Sequence, residues 1–225
     1  MTRRPGEVVG VLGGTFNPVH VGHVVMAREC SRRLGLRRIL FVPCATPPHK
    51  PAPSGVTLAD RLAMLERAIA GEAGFEVSPI EAHAGVVCYT IDTLRRLRHG
   101  GWGFEPVFLI GADSLLDLPT WKDNLALISE FDFAVLGRGT LPRTAQLDDR
   151  IRRHVFEVSG PDSVPADLGA GGRILRLDVT PPAVSSREIR RRSAAGKDLD
   201  GLVPPEVARY IRDNLLYRGL QEEKH

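Results

Sequence analysis

Several features that are common in other protein classes are scarce in this chain. It has three cysteines in 225 residues, Cys30, Cys44 and Cys88, whose spacing forms neither a C-x-x-C pair nor a His/Cys zinc pattern. We therefore expect a reducing cytoplasmic location and no structural zinc. No apolar run is long enough to cross a membrane, and the first residues do not resemble a secretory signal, so we expect neither membrane insertion nor secretion.

Charge and aromatic content also argue against a protein that binds nucleic acid. Lysine and arginine total 30 against 27 aspartates and glutamates, which gives a formal net charge of only +3. Aromatic residues make up 6% of the chain and are not interleaved with a basic strip. We expect no nucleic-acid partner and no membrane partner.

Short apolar runs alternate with amphipathic stretches, and this alternation predicts an α/β fold. Strands are predicted at 8–12, 38–43, 75–79, 106–110, 131–136, 154–158 and 174–179, and helices at 22–34, from 58, at 90–98, from 185 or 186, and at 204–217. With 43% hydrophobic residues, the chain can bury a substantial core. We expect one Rossmann-like domain over 1–225, a mainly parallel sheet flanked by helices, with a small helical C-terminal part. The Gly- and Pro-rich segment 137–172 gives the least clear pattern.

The string from Gly13 to His23, Gly-Gly-Thr-Phe-Asn-Pro-Val-His-Val-Gly-His, has the form of a phosphate site. Its glycines permit a tight turn and close approach to an anion, and Pro18 suits the start of a helix. His20 and His23 lie three residues apart and are predicted to share one helical face. A helix N-terminus and two imidazoles can stabilise the charge on a phosphoryl group in transfer. G-x-G-x-x-G and Gly-Lys-Ser/Thr are both absent, which disfavours redox Rossmann enzymes and P-loop NTPases.

Two further positions suit phosphate or nucleotide binding. Ser185 and Ser186 open a predicted helix with Arg190 one turn later, a set that either holds phosphate or only caps the helix. Asp113 follows the strand at 106–110, and the carboxyl ends of strands are where open α/β sheets bind ligands. A helix N-cap is the alternative role for this aspartate.

Together these strings resemble the nicotinate-nucleotide adenylyltransferase family, within the larger H-x-G-H nucleotidyltransferase superfamily. The resemblance covers nearly the whole chain and includes, in order, Gly13–His23, Pro48–Lys50, Arg61–Leu65, Tyr89–Leu94, Gly111–Leu115, Trp121–Lys122, Ser185–Arg190 and Leu202–Pro204. It implies that ATP and nicotinate mononucleotide are joined to give deamido-NAD and pyrophosphate, with Mg²⁺ assisting. The mononucleotide phosphate would attack the α-phosphorus directly, without a covalent enzyme intermediate.

The resemblance also implies roles for individual residues. His20 and His23 would be catalytic; ATP would be bound by Gly13, Gly14, Thr15, Phe16, Gly111, Asp113, Ser185, Ser186 and Arg190, and the mononucleotide by His49, Lys50, Tyr89, Thr90 and Trp121. Trp121 would stack on the pyridine ring, and amides near Tyr89 and Thr90 would recognise the nicotinate carboxylate. No protein ligand for the metal is expected, and the helical part at about 180–219 would close the ATP site.

Four departures and two alternative functions accompany this interpretation. Asn17 stands where the family often has Asp, and residues 81–88 lack the Arg and the Gly-Pro-Ser/Thr that are usual there. Gly139-Thr140 replaces the common Pro-Gly after Arg138, and Arg187 stands where the Ser-Ser motif often has Thr. The alternatives are another H-x-G-H enzyme, such as pantetheine-phosphate adenylyltransferase or a cytidylyltransferase, and a nucleotide-binding regulator or RNA-binding module without chemistry. The sequence leaves open the oligomeric state, a homo-oligomer included, and the strength of the acid-over-amide preference.

Overall fold

Seven parallel strands form a single sheet at the centre of the molecule. The computed structural model describes residues 7–45, 56–82, 87–137, 147–180 and 182–218. The strands are β1 (Glu7–Gly14), β2 (Arg38–Pro43), β3 (Phe75–Val77), β4 (Phe104–Gly111), β5 (Asp132–Leu136), β6 (Val155–Val158) and β7 (Ile174–Leu177). Their order in the sheet is β3-β2-β1-β4-β5-β7-β6, and every pairing is parallel.

Helices cover both faces of the sheet. They are α1 (Val21–Leu34), α2 (Leu58–Ile69), α3 (Thr90–His99), α4 (Ala112–Asp117), α5 (Asn124–Glu130), α6 (Asp149–Arg152), α7 (Ser186–Ala194) and α8 (Pro205–Asp213). One apolar core lies between the sheet and α1, α2, α7 and α8, and a second lies between the sheet and α3 to α6. The predicted α/β architecture is therefore confirmed.

Side-chain alternation along the strands explains why there are two cores. In β1, Val9 and Val11 belong to the core on the α3 side, whereas Leu12 belongs to the core on the α1 side. All three side chains are buried, and neighbouring residues of a strand point to opposite faces. Full burial of such a side chain contributes about 1.5–3 kcal/mol, so a strand that is apolar on both faces is stable only between two helical layers.

The order of strands reverses beside β1, which pairs with β2 on one side and with β4 on the other. The next two strands of the chain, β2 and β3, are therefore added on one side of β1, and the later strands are added on the other side. In open α/β sheets such a reversal creates a crevice outside the carboxyl ends of the two strands. Here those ends are Gly14 of β1 and Gly111 of β4.

Residues 137–172 gave no clear sequence pattern, and a buried carboxylate organises their later part. Asp132, at the start of β5, is fully buried and accepts hydrogen bonds from the backbone N–H groups of Gly169 (2.8 Å) and Arg173 (3.1 Å). The Arg173 guanidinium also donates to this carboxylate and to the exposed Asp167. The chain leading into β7 is thus held by one buried acid.

Two local predictions were wrong. Pro18 does not open α1, because the helix begins at Val21 with His20 as its N-cap, and Pro18 follows Asn17 through a cis peptide bond. The last helix, predicted to reach Tyr217, ends at Asp213, and Leu215 and Tyr217 adopt positive φ angles of 54° and 66°. Across the ranges that the structure describes, no helix has both the length and the apolar character needed to cross a membrane.

Candidate active site

A cavity of about 400 Å³ opens at the carboxyl ends of β1 and β4, in the crevice where the strand order reverses. Its volume lies within the usual range of small-molecule sites. The wall contains most of the residues predicted from sequence, namely Gly13, Gly14, Thr15, His20, His23, Tyr89, Thr90, Gly111, Asp113 and Trp121. It also contains residues that were not predicted as site residues, among them Gly22, Cys44, Glu81, Cys88 and Lys122. Segments distant in sequence thus meet in one place.

His20 and His23 form a stacked pair at the start of α1. Their ring centroids are 3.7 Å apart with 25° between the planes, and His20 is only 2% exposed. The backbone N–H of His20 donates to Nδ1 of His23 over 3.2 Å. Because Nδ1 accepts this bond, a neutral His23 ring carries its proton on Nε2. The helix start therefore fixes both the orientation and the tautomer of His23.

The glycine between these histidines is required by close packing. A Cβ atom added at Gly22 would lie 3.0 Å from Nδ1 and 3.1 Å from Cε1 of His20. Both contacts are shorter than ordinary van der Waals contacts, so a larger residue would displace the His20 ring. The spacing H-x-G-H is thus explained by the stacked pair itself.

The loop between β1 and α1 is strained and anchored. Phe16 has a φ of 46°, in the left-handed region that costs a non-glycine residue about 1–3 kcal/mol. Its ring is 2% exposed and packs edge-on against His23 (5.1 Å) and at a tilt to Phe41 (5.9 Å). Burial of the ring offsets the backbone strain. Phe16 thus supports His23 from the core and is not among the cavity-lining residues.

Arg61 of α2 ties two loops of the site together. The side chain is 4% exposed, and its Nη1 donates to the carbonyl oxygens of Thr15 and Cys44, each over 2.7 Å. Burial lowers the pKa of this guanidinium, but its reference value is so high that it remains charged. Arg61 was not among the predicted site residues, although it opens the string Arg61–Leu65.

The far side of the cavity is formed by the N-terminus of α3 and by an aromatic pair. Tyr89 is the N-cap of α3, so the amides at the start of this ten-residue helix lie at the cavity wall. Trp121 packs edge-on against Phe108 with the ring centroids 6.1 Å apart. The Lys122 ammonium lies 4.6 Å from the centre of the Tyr89 ring and 2.8 Å from a carboxylate oxygen of Asp92. A lysine that is paired with Asp92 therefore lies beside the positive end of the α3 dipole.

Comparison with known proteins decides the family. The profile of the cytidylyltransferase-like family matches residues 11–192. A protein of Trichlorobacter lovleyi named "Probable nicotinate-nucleotide adenylyltransferase" is 38% identical over 93% of this chain and 99% of its own length. A protein of Pseudomonas aeruginosa with the same name is 37% identical over 95% of this chain and 99% of its own. The chain is a member of the nicotinate-nucleotide adenylyltransferase family.

The fold agrees with this membership. The nicotinic acid mononucleotide adenylyltransferase of Plasmodium falciparum, complexed with NaAD, superposes with a TM-score of 0.71 at 18% identity, over 94% of this chain and 97% of its own. The same enzyme complexed with APC gives a TM-score of 0.70 at 17% identity, over the same shares of the two chains. This chain and the Plasmodium falciparum enzyme therefore share one fold.

Some residues that the family resemblance assigns to ATP occupy other positions here. Ser185 is the N-cap of α7, where its Oγ accepts from the Glu188 backbone N–H. Ser186 Oγ donates to the Pro18 carbonyl over 2.9 Å, and Arg190 Nη1 donates to the Asn17 carbonyl over 2.7 Å. The Ser186 and Arg190 side chains thus fix the loop that carries the histidines to α7, whereas Ser185 caps its own helix.

Of the other assignments to ATP and the mononucleotide, that of Asp113 can be compared with the geometry. Asp113 lines the cavity in the first turn of α4, but the N-cap of that helix is Gly111, so the alternative capping role is wrong. His49 and Lys50 lie outside the described residues, and their assignment to the mononucleotide remains a prediction.

Two of the cysteines, far apart in sequence, lie close together in the structure. Cys44 and Cys88 meet in the cavity wall beside Glu81, with one potential ligand atom of each residue within 4.8 Å of the others. Cys44 follows β2 and Cys88 precedes α3, so the fold brings them together at the same edge of the sheet. No local spacing rule could have found this group.

Proposed function

We propose that this adenylyltransferase transfers the adenylyl group of ATP to nicotinate mononucleotide, forming deamido-NAD and releasing pyrophosphate. The observation that carries the proposal is the single cavity in which the His20 and His23 pair faces the amino end of α3. A site for phosphoryl chemistry and a site for an anionic ring substituent are thereby combined in one cavity. The names of the relatives support the same substrates.

The reaction needs no covalent intermediate. An oxygen of the mononucleotide phosphate forms a bond to the α-phosphorus of ATP while the bond from that phosphorus to the bridging oxygen breaks, and pyrophosphate leaves with the electron pair. His20 and His23 stabilise the negative charge that builds up on the α-phosphate and the leaving group. His23 does so through Nε2–H, the donor that its bond from the His20 backbone defines.

Recognition of the nicotinate acid rests on α3. Amides at a helix N-terminus bind carboxylates, and the Lys122 ammonium adds positive charge close to Tyr89. The pyridine ring would lie against Trp121, whose orientation is fixed by Phe108. An amide in place of the acid loses the charge interaction, so the acid is the better substrate.

Mg²⁺ would enter this site bound to the triphosphate of ATP. Among the described residues, the one group of three potential metal ligands, Cys44, Glu81 and Cys88, contains two sulfurs, which do not suit Mg²⁺; outside that group, Asp113 offers a carboxylate at the cavity wall. An Mg²⁺ ion whose other ligands are phosphate and water oxygens would need no further protein ligand. When bound, it neutralises charge on the triphosphate.

The C-terminal part would close the ATP side of the cavity, within one nucleotidyltransferase domain. Arg190 has five N–H donors, and its hydrogen bond to the Asn17 carbonyl uses one of the two terminal nitrogens. We propose that its other donors reach the outer phosphates of ATP, together with Ser186, and that His49 and Lys50 meet the mononucleotide phosphate. Arg190→Ala should then raise KM for ATP; a fall in melting temperature with KM unchanged would restrict Arg190 to holding the loop.

The decisive test is pyrophosphate release from ATP and Mg²⁺ with nicotinate mononucleotide, and in parallel with nicotinamide mononucleotide. Wild type should prefer the acid, and His20→Ala should lose about 10²–10³-fold in kcat, as expected for removal of one preorganised donor. His99→Ala is the matched control, because His99 is exposed in the last turn of α3, away from the cavity. Release with neither mononucleotide would contradict the proposal and favour the rival transferases.

We place the reaction in the cytoplasm, with small-molecule partners and no nucleic-acid partner. The proposal allows a homo-oligomer. Nearly balanced charge and the three free thiols at Cys30, Cys44 and Cys88 support this assignment. A salt-dependent shift of labelled RNA by the purified chain would count against it.

A further inference from the structure

Cys44, Glu81 and Cys88 form a compact donor group in the cavity wall, which we call the sulfur cluster. Each contributes one ligand atom, two thiol sulfurs and one carboxylate oxygen, and the three atoms lie within 4.8 Å of one another. All three residues are partly buried and line the cavity. The group therefore faces a ligand-sized space and is not sealed in the core.

The backbone and neighbouring side chains hold the sulfur cluster in place. The Cys44 N–H donates to the Gly14 carbonyl over 2.9 Å, and its own carbonyl accepts from Arg61 over 2.7 Å. The Glu81 carboxylate accepts a hydrogen bond from the Thr93 hydroxyl. Such outer partners orient metal ligands in proteins.

The chemistry of the donor set selects the class of ion. Zinc binds thiolate sulfur at about 2.3 Å and carboxylate oxygen at about 2.0–2.2 Å, so two sulfurs on a tetrahedral ion lie about 3.8 Å apart. The observed limit of 4.8 Å exceeds this by only about 1 Å, a change that small side-chain rotations can supply. Mg²⁺ and Ca²⁺ prefer oxygen ligands, whereas thiolates select thiophilic ions.

Charge balance also favours a divalent cation. Metal binding to two thiols releases their two protons, so the gain of one dication leaves the net charge of this partly buried site unchanged.

We propose that Cys44, Glu81 and Cys88 bind a thiophilic divalent cation of the zinc class in the cavity wall. Three protein ligands leave a fourth coordination position, which in zinc proteins is an exchangeable one. The site lies next to Tyr89, at the amino end of α3, so a bound ion sits beside the same helix N-terminus that lines the cavity. The inference does not depend on which nucleotide the cavity accepts.

Cobalt(II) titration of the reduced full-length chain tests this site, because thiolate ligation gives a charge-transfer band and tetrahedral geometry gives intense visible bands. We expect one Co²⁺ per chain with both signals, displaced by Zn²⁺ and unaffected by excess Mg²⁺. Cys44→Ala and Cys88→Ala should abolish the thiolate band. Cys30→Ala is the matched control, because Cys30 is buried within α1 and outside the cluster, and it should bind as wild type does.

A second variant tests the outer support without removing a ligand. Thr93→Val deletes the hydroxyl that holds Glu81 and should weaken Co²⁺ binding by about 10–100-fold. Folded wild type that shows no thiolate band would overturn the proposal, as would a Cys44→Ala or Cys88→Ala variant that binds Co²⁺ with the same thiolate band as wild type. Because the readout is spectroscopic, its failure is distinct from any failure of the adenylyl-transfer assay.

Discussion

The hydrogen bond between Tyr217 and Asn17 should contribute strongly to the free energy of unfolding, because both residues are buried. The Tyr217 hydroxyl donates to Asn17 Oδ1 over 2.6 Å, and each residue is only 3% exposed. Tyr217→Phe removes the donor while it leaves the ring in place. The Asn17 oxygen then stays buried without this partner, which costs about 1–3 kcal/mol of the free energy of unfolding.

The change should be visible in both chemical and thermal unfolding. For a chain of about 150–250 residues, 1 kcal/mol corresponds to about 2–4 °C, so Tyr217→Phe should lower Tm by about 2–12 °C. In urea, the midpoint should fall while the slope m stays the same, because the native surface is unchanged.

Tyr210→Phe is the matched control, because it removes the same atom from a partly exposed tyrosine. The Tyr210 hydroxyl donates to Asp60 over 3.0 Å, but that carboxylate also accepts from the Thr57 N–H and hydroxyl. We therefore expect a loss of only about 0.5–1 kcal/mol. Equal losses for the two tyrosine variants, or no loss for Tyr217→Phe, would refute the argument from burial.

Three further predictions concern packing, charge and a buried acid. Gly22→Ala should lower kcat with little change in Tm, because the new methyl group displaces the His20 ring; unchanged kcat would contradict the role of the stacked pair. Lys122→Gln should raise KM for nicotinate mononucleotide by about 2–5-fold and leave the amide unaffected, since an exposed charge contributes about 1 kcal/mol or less. Asp132→Ala should destabilise by about 3–5 kcal/mol in urea unfolding, whereas the exposed Asp167→Ala should cost less than about 1 kcal/mol.

The sequence predicted the strands and helices well where hydrophobic period and length agreed. β2 was predicted at 38–43 and observed at Arg38–Pro43. The prediction succeeded because a short, continuous apolar run is typical of a parallel strand that is buried on both faces. Helix ends were harder. Pro18 satisfies the statistical preference for a first helical position, yet the tertiary fold places it before the N-cap His20.

The cavity-lining residues that the sequence predicted lie in short strings with recognisable chemistry, such as Gly13–His23, Tyr89–Thr90 and Gly111–Asp113. His20 and His23 were found because three-residue spacing puts them on one helical face. The grouping of Cys44 with Cys88 depends instead on the parallel pairing of strands, which no local pattern encodes. Arg61 was missed for the same reason, since its partners Thr15 and Cys44 lie in loops far from it in sequence.

The anchoring of the histidine loop has a consequence for how the protein is made. Ser186, Arg190 and Tyr217 bind Pro18 and Asn17 across separations of 168, 173 and 200 residues. At synthesis rates of about 5–20 residues per second, the last of these partners follows Asn17 by about 10–40 s. The nascent chain therefore carries its histidine-bearing loop for most of its synthesis without the contacts that fix it, and these contacts form only when the last residues of the fold have been made.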